Sequence, residues 1–143
     1  MNDNIFISKD LNRLIIEKLQ YIFKDDNHEI FMTELPDGWT SKKPTIITVS
    51  SEGQIVNSEA WTRENIRISV YSRDMPTARK ILTQVDGALL NPLSLGVLLQ
   101  VKPGAGIFAF KNSQLGGAGT ASATYRVTAS KLVTKQLDIK KVL

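Results

Sequence analysis

The residues of this chain that could do chemistry are few, and their spacing argues against chemistry. Gly104-Ala105-Gly106-Ile107-Phe108-Ala109 matches the pattern G-x-G-x-x-A. In a dinucleotide site those glycines lie between a strand and the start of a helix, so that the helix N-terminus meets the pyrophosphate. Here Ile107–Phe110 reads as extended chain, and Asn112-Ser113 follows in place of a helical stripe. A bend or β-bulge is the better reading. His28 is the only histidine, with Asp25, Asp26 and Glu29 beside it. A weak cation site is one reading of that cluster. A polar helix-to-strand connection is the plainer one, because nitrogen-type metal sites draw on two or three histidines. A Ser-His-Asp triad would need the same His28, and no serine sits in a nucleophile-elbow sequence. Glu52, Glu59 and Glu64 fall on a hairpin-like stretch whose spacing sets up no acid–base pair. There is no phosphate loop and no cysteine. The sequence thus predicts no catalysis, no metal and no cofactor.

Bulk properties point the same way. With 143 residues, 42% hydrophobic and 22% charged, the chain has the composition of one globular domain. MNDNIFISKD lacks a basic region followed by an apolar run, so no signal peptide is expected. No apolar stretch approaches the roughly 20 residues of a membrane span. A protein made and kept in the cytoplasm, unless carried out within a particle, is the expectation. Charge is uneven. Residues 1–40 hold four basic and eight acidic side chains, a balance of −4, whereas residues 41–143 hold fourteen and six, a balance of +8. The basic part could face nucleic acid or an acidic protein surface. Solvation, or pairing with the acidic first part, is the plainer reading. No run of Arg and Lys is interleaved with stacking aromatics, as single-strand binding favours.

The elements that must position these residues follow from periodicity. Leu11, Leu14, Ile15, Leu19, Ile22 and Phe23 recur at helical steps, predicting a helix over Lys9–Lys24 with Ser8 as N-cap. Glu29–Leu35 reads as a short strand, Pro36-Asp37-Gly38 as a turn, and Thr45–Ser50 as a β-branched strand. Ser51-Glu52-Gly53 reads as a hairpin turn or loop, and Gln54–Trp61 stays open between strand and loop. Asn65–Ser72 alternates cleanly, with Ile66, Ile68 and Val70 on one face and Arg67, Ser69 and Tyr71 on the other. A second helix over Asp74–Leu90 follows, capped by Asp74 with Pro76 in its first turn. Val97–Val101 and Ile107–Phe110 are strands separated by the Pro103–Gly106 break. Leu115–Gly119 is flexible, and Thr120–Val133 is a long closing strand. Lys131, Lys135, Lys140 and Lys141 make the end of the chain mildly basic, with 134–143 as its tail. The sum is an α+β fold: a mainly antiparallel sheet of four to six strands with two helices packed on one face. Its expected core holds Leu14, Ile15, Leu19, Ile68, Val70, Ile81, Leu82 and Val85.

The side chains left over suggest a surface for assembly. Trp39 and Trp61 lie in polar, loop-like surroundings, where an aromatic either joins an interface or folds back over the core edge. Arg63, Arg67 and Arg73 punctuate the Asn65–Ser72 strand. Arg67 and Tyr71 point away from the core, and Arg67 either bridges to a carboxylate of a neighbouring subunit or is solvated.

One order of elements runs through the chain. An N-terminal helix precedes strands; NIRISVYS runs straight into MPTARKILTQVDGALL; an apolar strand and a glycine-rich interruption lead to TASATYRVTASKLV. In that order and texture the whole chain resembles the tail-terminator (tail-completion) proteins of long-tailed bacteriophages and of phage-derived tail-like particles. The resemblance implies a single such domain over 1–143 that forms a homo-hexameric ring. The ring caps the tail tube, stops polymerisation of tube protein and offers a surface for the head. Its implied partners are itself, the tail-tube protein and head–tail connector proteins. DNA passes through the hole without sequence-specific binding. The implied location is the head-proximal end of the virion tail, after assembly in the host cytoplasm. In that setting Gly116, Gly117 and Gly119 form a loop that orders against tube or neighbour. Minor head–tail connector (neck) proteins share much of this fold, and a small basic nucleic-acid-binding module is the alternative from another class. An enzyme with a dispersed active site has the least support.

Overall fold

Alternation builds most of this molecule. The computed structural model describes residues 5–24, 30–92 and 99–134. In chain order these form β1 (Ile5–Ile7), α1 (Leu11–Ile22), β2 (Phe31–Met32), β3 (Ile46–Asn57), β4 (Trp61–Ser72), α2 (Met75–Leu89), β5 (Leu99–Pro103), β6 (Phe108–Asn112), β7 (Ala118–Ser130) and β8 (Leu132–Thr134). The architecture is the expected α+β one. A six-stranded, mainly antiparallel sheet runs β2-β3-β4-β7-β5, with β6 also paired to β7. Only β2 joins its neighbour in parallel. The short strands β1 and β8 pair as a separate antiparallel ribbon.

The helices share one face of the sheet. Register sets Ile66 opposite Tyr125, Ile68 opposite Ala123 and Val70 opposite Ala121. These residues form one buried cluster with Ile47 and Val49, with Leu11, Ile15, Ile16 and Leu19 of α1, and with Ala78, Leu82, Val85 and Leu89 of α2. Leu14 and Ile81, expected in the core, lie partly buried at its rim, and Ile16 takes the place the stripe gave to Leu14. The small alanines of β7 let α2 lie close to the strand. Tyr125 ties the two together: its phenol donates to Asp86 Oδ1 at 2.5 Å. Burial, reinforced by that carboxylate, pushes the Tyr125 phenol far above its ordinary range.

Local expectations meet four corrections. The cap of α1 is Asp10, not Ser8: Asp10 Oδ1 accepts from Arg13 N at 3.2 Å, and Ser8 turns outward to Asn57 Oδ1 at 2.7 Å. The strand expected over Glu29–Leu35 shrinks to Phe31–Met32 among the described residues. Ser51-Glu52-Gly53 is no hairpin turn. β3 continues through it to Asn57, with a register shift between Glu52 and Val56. The positive φ of Gly53, 84°, serves that irregularity. The true turn is Ser58–Ala60, where Ser58 Oγ accepts from Ala60 N and Trp61 N.

The last correction concerns glycine. Leu115–Gly119 is not one flexible stretch. Ser113–Leu115 is a 3₁₀ turn, and Gly116 and Gly117 hold φ of 72° and 81° just after it. Gly119 is different: it is buried inside β7, opposite Ser72. A Cβ there would stand 2.0 Å from the Asp74 carbonyl and 2.2 Å from Met75 N. Glycine at 119 therefore lets the first turn of α2 rest on β7. That turn is capped by Asp74, whose carboxyl lies below its ordinary range chiefly through the hydrogen bond from Thr77 N.

Asp25, Asp26, His28, Glu29, the start of the Val97–Val101 strand and the tail beyond Thr134 lie outside the described residues.

Candidate functional site

The G-x-G-x-x-A stretch resolves into sheet geometry. β5 and β6 are two halves of one edge, broken at Pro103–Gly106 and both paired to β7. Gly104 N donates to Thr124 O at 2.9 Å, Thr124 N to Ala105 O at 3.1 Å, and Ala105 N to Thr124 Oγ1 at 2.7 Å. A Cβ on Gly104 would meet Thr124 Oγ1 at 2.7 Å and its carbonyl oxygen at 2.9 Å. The glycine admits a bulge, as the sequence suggested, and no helix N-terminus follows it. The three carboxylates are likewise separate. Glu52 is paired with Arg67, Glu59 is exposed in the Ser58–Ala60 turn, and buried Glu64 accepts from Ser51 Oγ at 2.6 Å. Among the described residues no group of three His, Cys, Asp or Glu side chains stands close enough to hold a metal ion.

What remains as a candidate site is the face of the sheet opposite the helices. Pairing arranges it in rows. One row runs Ile46–Tyr71–Thr120–Phe110 and the next Thr48–Ser69–Ser122–Phe108. Beyond the bulge at Thr124 come Glu52–Asn65–Arg126–Lys102 and Val56–Arg63–Thr128–Gln100. The face divides by chemistry. Small hydroxyls floor the first end: Ser69 and Ser122 share a 2.7 Å hydrogen bond, and Thr120 is buried between Tyr71 and Phe110. Aromatics wall it. Phe108 and Phe110 stack at 5.8 Å on the edge strand and stay 48% and 39% exposed, a cost in water that nothing within the described chain offsets. The second end is cationic. Asn65, Arg126 and Lys102 are exposed there, while Arg63 is half-buried. The Arg63 guanidinium lies 4.7 Å over the Trp61 ring, and its Nε donates to Thr128 Oγ1 at 3.3 Å.

The structure sorts the residues singled out by sequence. Arg63, Arg67, Tyr71 and Trp61 do share the open face. Arg67 is engaged within its own chain, its Nε and Nη2 donating to the two Glu52 oxygens at 3.1 and 3.0 Å, so a bridge to a neighbour is not its resting role. Trp39 folds back: it is 5% exposed, donates Nε1–H to Pro44 O at 2.9 Å and meets Tyr71 edge-on. Buried Trp39 and buried Gly119 therefore offer no surface to a partner. Arg73 is exposed beside Asp74 at the start of α2, and Gly116 is exposed at the far turn. The sequence reading passed over Phe108 and Phe110. The alternation of Phe108-Ala109-Phe110, with the small residue in the middle, is the signal that turns both rings outward. Further apolar exposure gathers on Ile55 and Val56 of β3 and on Ile5 and Phe6 of β1.

No described helix is long and apolar enough to cross a membrane. Neither a protein-family model nor a characterised protein matches the chain.

Proposed function

We propose that this protein is a structural component of a phage-type tail: a ring-forming tail terminator that caps the tube and provides the head-joining surface. The observation that carries the reading is the sheet face without a helix, with its stacked, outward Phe108 and Phe110. An α+β domain with a complete core of its own does not need to leave two phenylalanines in water; a subunit that docks does. The element order supports the terminator family and, with it, a structural role. On this reading the partners are further copies of the chain, a tail-tube protein and connector proteins, and the site of action is the head-proximal end of a virion tail. A minor neck protein of the same fold is the nearest variant.

Tube protein assembled with and without this chain tests the proposal. Electron microscopy should show a capping ring and tubes of uniform length when the chain is present, and overlong tubes that fail to join heads when it is absent. Tubes of normal length that join heads without it would sink the proposal.

A second reading has one observation in its favour. Arg126, Lys102 and Asn65 are exposed together on the bare face, with Arg63 beside them, which suits a phosphate backbone. Tight duplex binding by the isolated chain that falls steeply with salt would favour a nucleic-acid module.

A further inference from the structure

We infer that neighbouring copies of this chain join edge to edge, β5 of one copy pairing antiparallel with the outer half of β3 of the next, so that one sheet runs on through the assembly. The inference rests on the ring reading for its closure. It starts from two unpaired edges. On one side β2 covers only Ile47 and Thr48, leaving Ser51–Asn57 exposed with no outer strand among the described residues. On the other side β5 and β6 pair only with β7 among the described residues. Open edges invite pairing with any chain unless something blocks or fills them.

Three features make the two edges fit each other. Direction is the first. β3–β4, β4–β7 and β7–β5 are each antiparallel, so β3 and β5 run oppositely. Rotating a copy about an axis along the strands sets its β3 antiparallel beside β5 of the first. Level is the second. The rows Glu52–Asn65–Arg126–Lys102 and Val56–Arg63–Thr128–Gln100 cross the whole sheet. The free half of β3 therefore stands level with β5, and Lys102 meets Glu52 of the next copy while Gln100 meets its Val56. Charge is the third. One edge carries Lys102, with Lys111 farther along on β6; the other carries Glu52, which Lys102 of the next copy would share with Arg67, and Glu59 just past its end. Like edges repel and unlike edges attract, which favours a head-to-tail contact over a two-fold one. Closure by rotation then leaves no edge free.

The chain has no cysteine, which makes the test clean. Val56→Cys and Gln100→Cys in one chain sit three strand spacings apart, about 14 Å, beyond the roughly 7 Å between Cα atoms that a disulfide spans, so they cannot bond within a subunit. Both positions are exposed, so melting of the variants should match the parent. Oxidising the purified, concentrated double variant should give a ladder of multimers ending in a closed species, with none from either single variant. Adding Lys102→Glu should abolish the ladder. No ladder from the double variant, or dimers from a single variant, would overturn edge pairing, and rings of the parent chain by microscopy would then leave the ring reading standing. A ladder whose closed product fails to cap tubes would uphold edge pairing and remove the terminator reading.

Discussion

The two faces of one sheet are built from the same strands and do different things. Toward the helices, β4 presents Ile66, Ile68 and Val70 and β7 presents Ala121, Ala123, Tyr125, Val127 and Ala129, every one of them buried. One residue along, the same strands present Arg67, Ser69 and Tyr71, and Thr120, Ser122, Thr124 and Arg126. A shift of register by a single residue would exchange the faces. The covered face holds its neighbours by volume, so its residues are small or branched according to what lies above. The open face holds by hydrogen bonds, an ion pair and ring stacking, and still leaves Phe108 and Phe110 exposed. Stability should thus reside on one face and assembly on the other.

That division can be broken residue by residue. The largest loss of stability should follow Leu82→Ala, because Leu82 is fully buried between α2 and the sheet; about 2–5 kcal/mol should be lost in denaturant unfolding. Gly119→Ala should cost about 1–3 kcal/mol, since the new methyl meets the Asp74–Met75 backbone, which cannot rotate aside as a side chain would. A stability equal to that of the parent would show that α2 does not rest on β7 as described.

Tyr125→Phe should cost about 1 kcal/mol by removing the hydrogen bond to Asp86. Its pH dependence sharpens the point. The folded phenol has its pKa raised above the unfolded value of 10.0, so the folded state holds the proton more tightly. This contribution is complete below pH 10.0 and is lost as pH rises beyond it. Unfolding followed above that pH should show a steeper decline in the parent than in Tyr125→Phe; identical slopes would detach Tyr125 from the effect. The smallest change belongs to the open face. Arg67→Ala removes a surface ion pair that is 35% and 48% exposed at its two side chains, worth about 0.2–1 kcal/mol.

Much of this was legible in the residues. The α2 boundaries follow from Asp74, Pro76 and the Ala78–Leu82–Val85–Leu89 stripe, local signals that tertiary structure had no reason to override. The alternation of Asn65–Ser72 fixed which residues face the helices. Glycine misled, because one residue type serves three purposes here. Gly53 accommodates a bulge inside a strand that read as a turn. Gly116 and Gly117 take positive φ after a 3₁₀ turn. Gly119 yields space to a helix distant in sequence, which no local pattern announces. From sequence alone Trp39 stays open between interface and core edge, and Arg67 between a neighbouring subunit and solvent, for a related reason. Tyr71, which Trp39 meets edge-on, and Glu52, which holds Arg67, come near only through the pairing of β3 with β4. The open face was half visible: Arg63, Arg67 and Tyr71 came from alternation, while Phe108 and Phe110 were hidden in a segment read only for its apolar content.

The most direct test replaces both Phe108 and Phe110 by serine and measures folding and assembly on the same sample. If the open face serves assembly, the variant should still unfold cooperatively, with a loss of about 3 kcal/mol or less, since each ring is only partly covered. Capping rings on tubes of cognate tube protein should meanwhile disappear from electron micrographs. Rings that form as before, on a protein that folds as before, would contradict the assignment of assembly to this face.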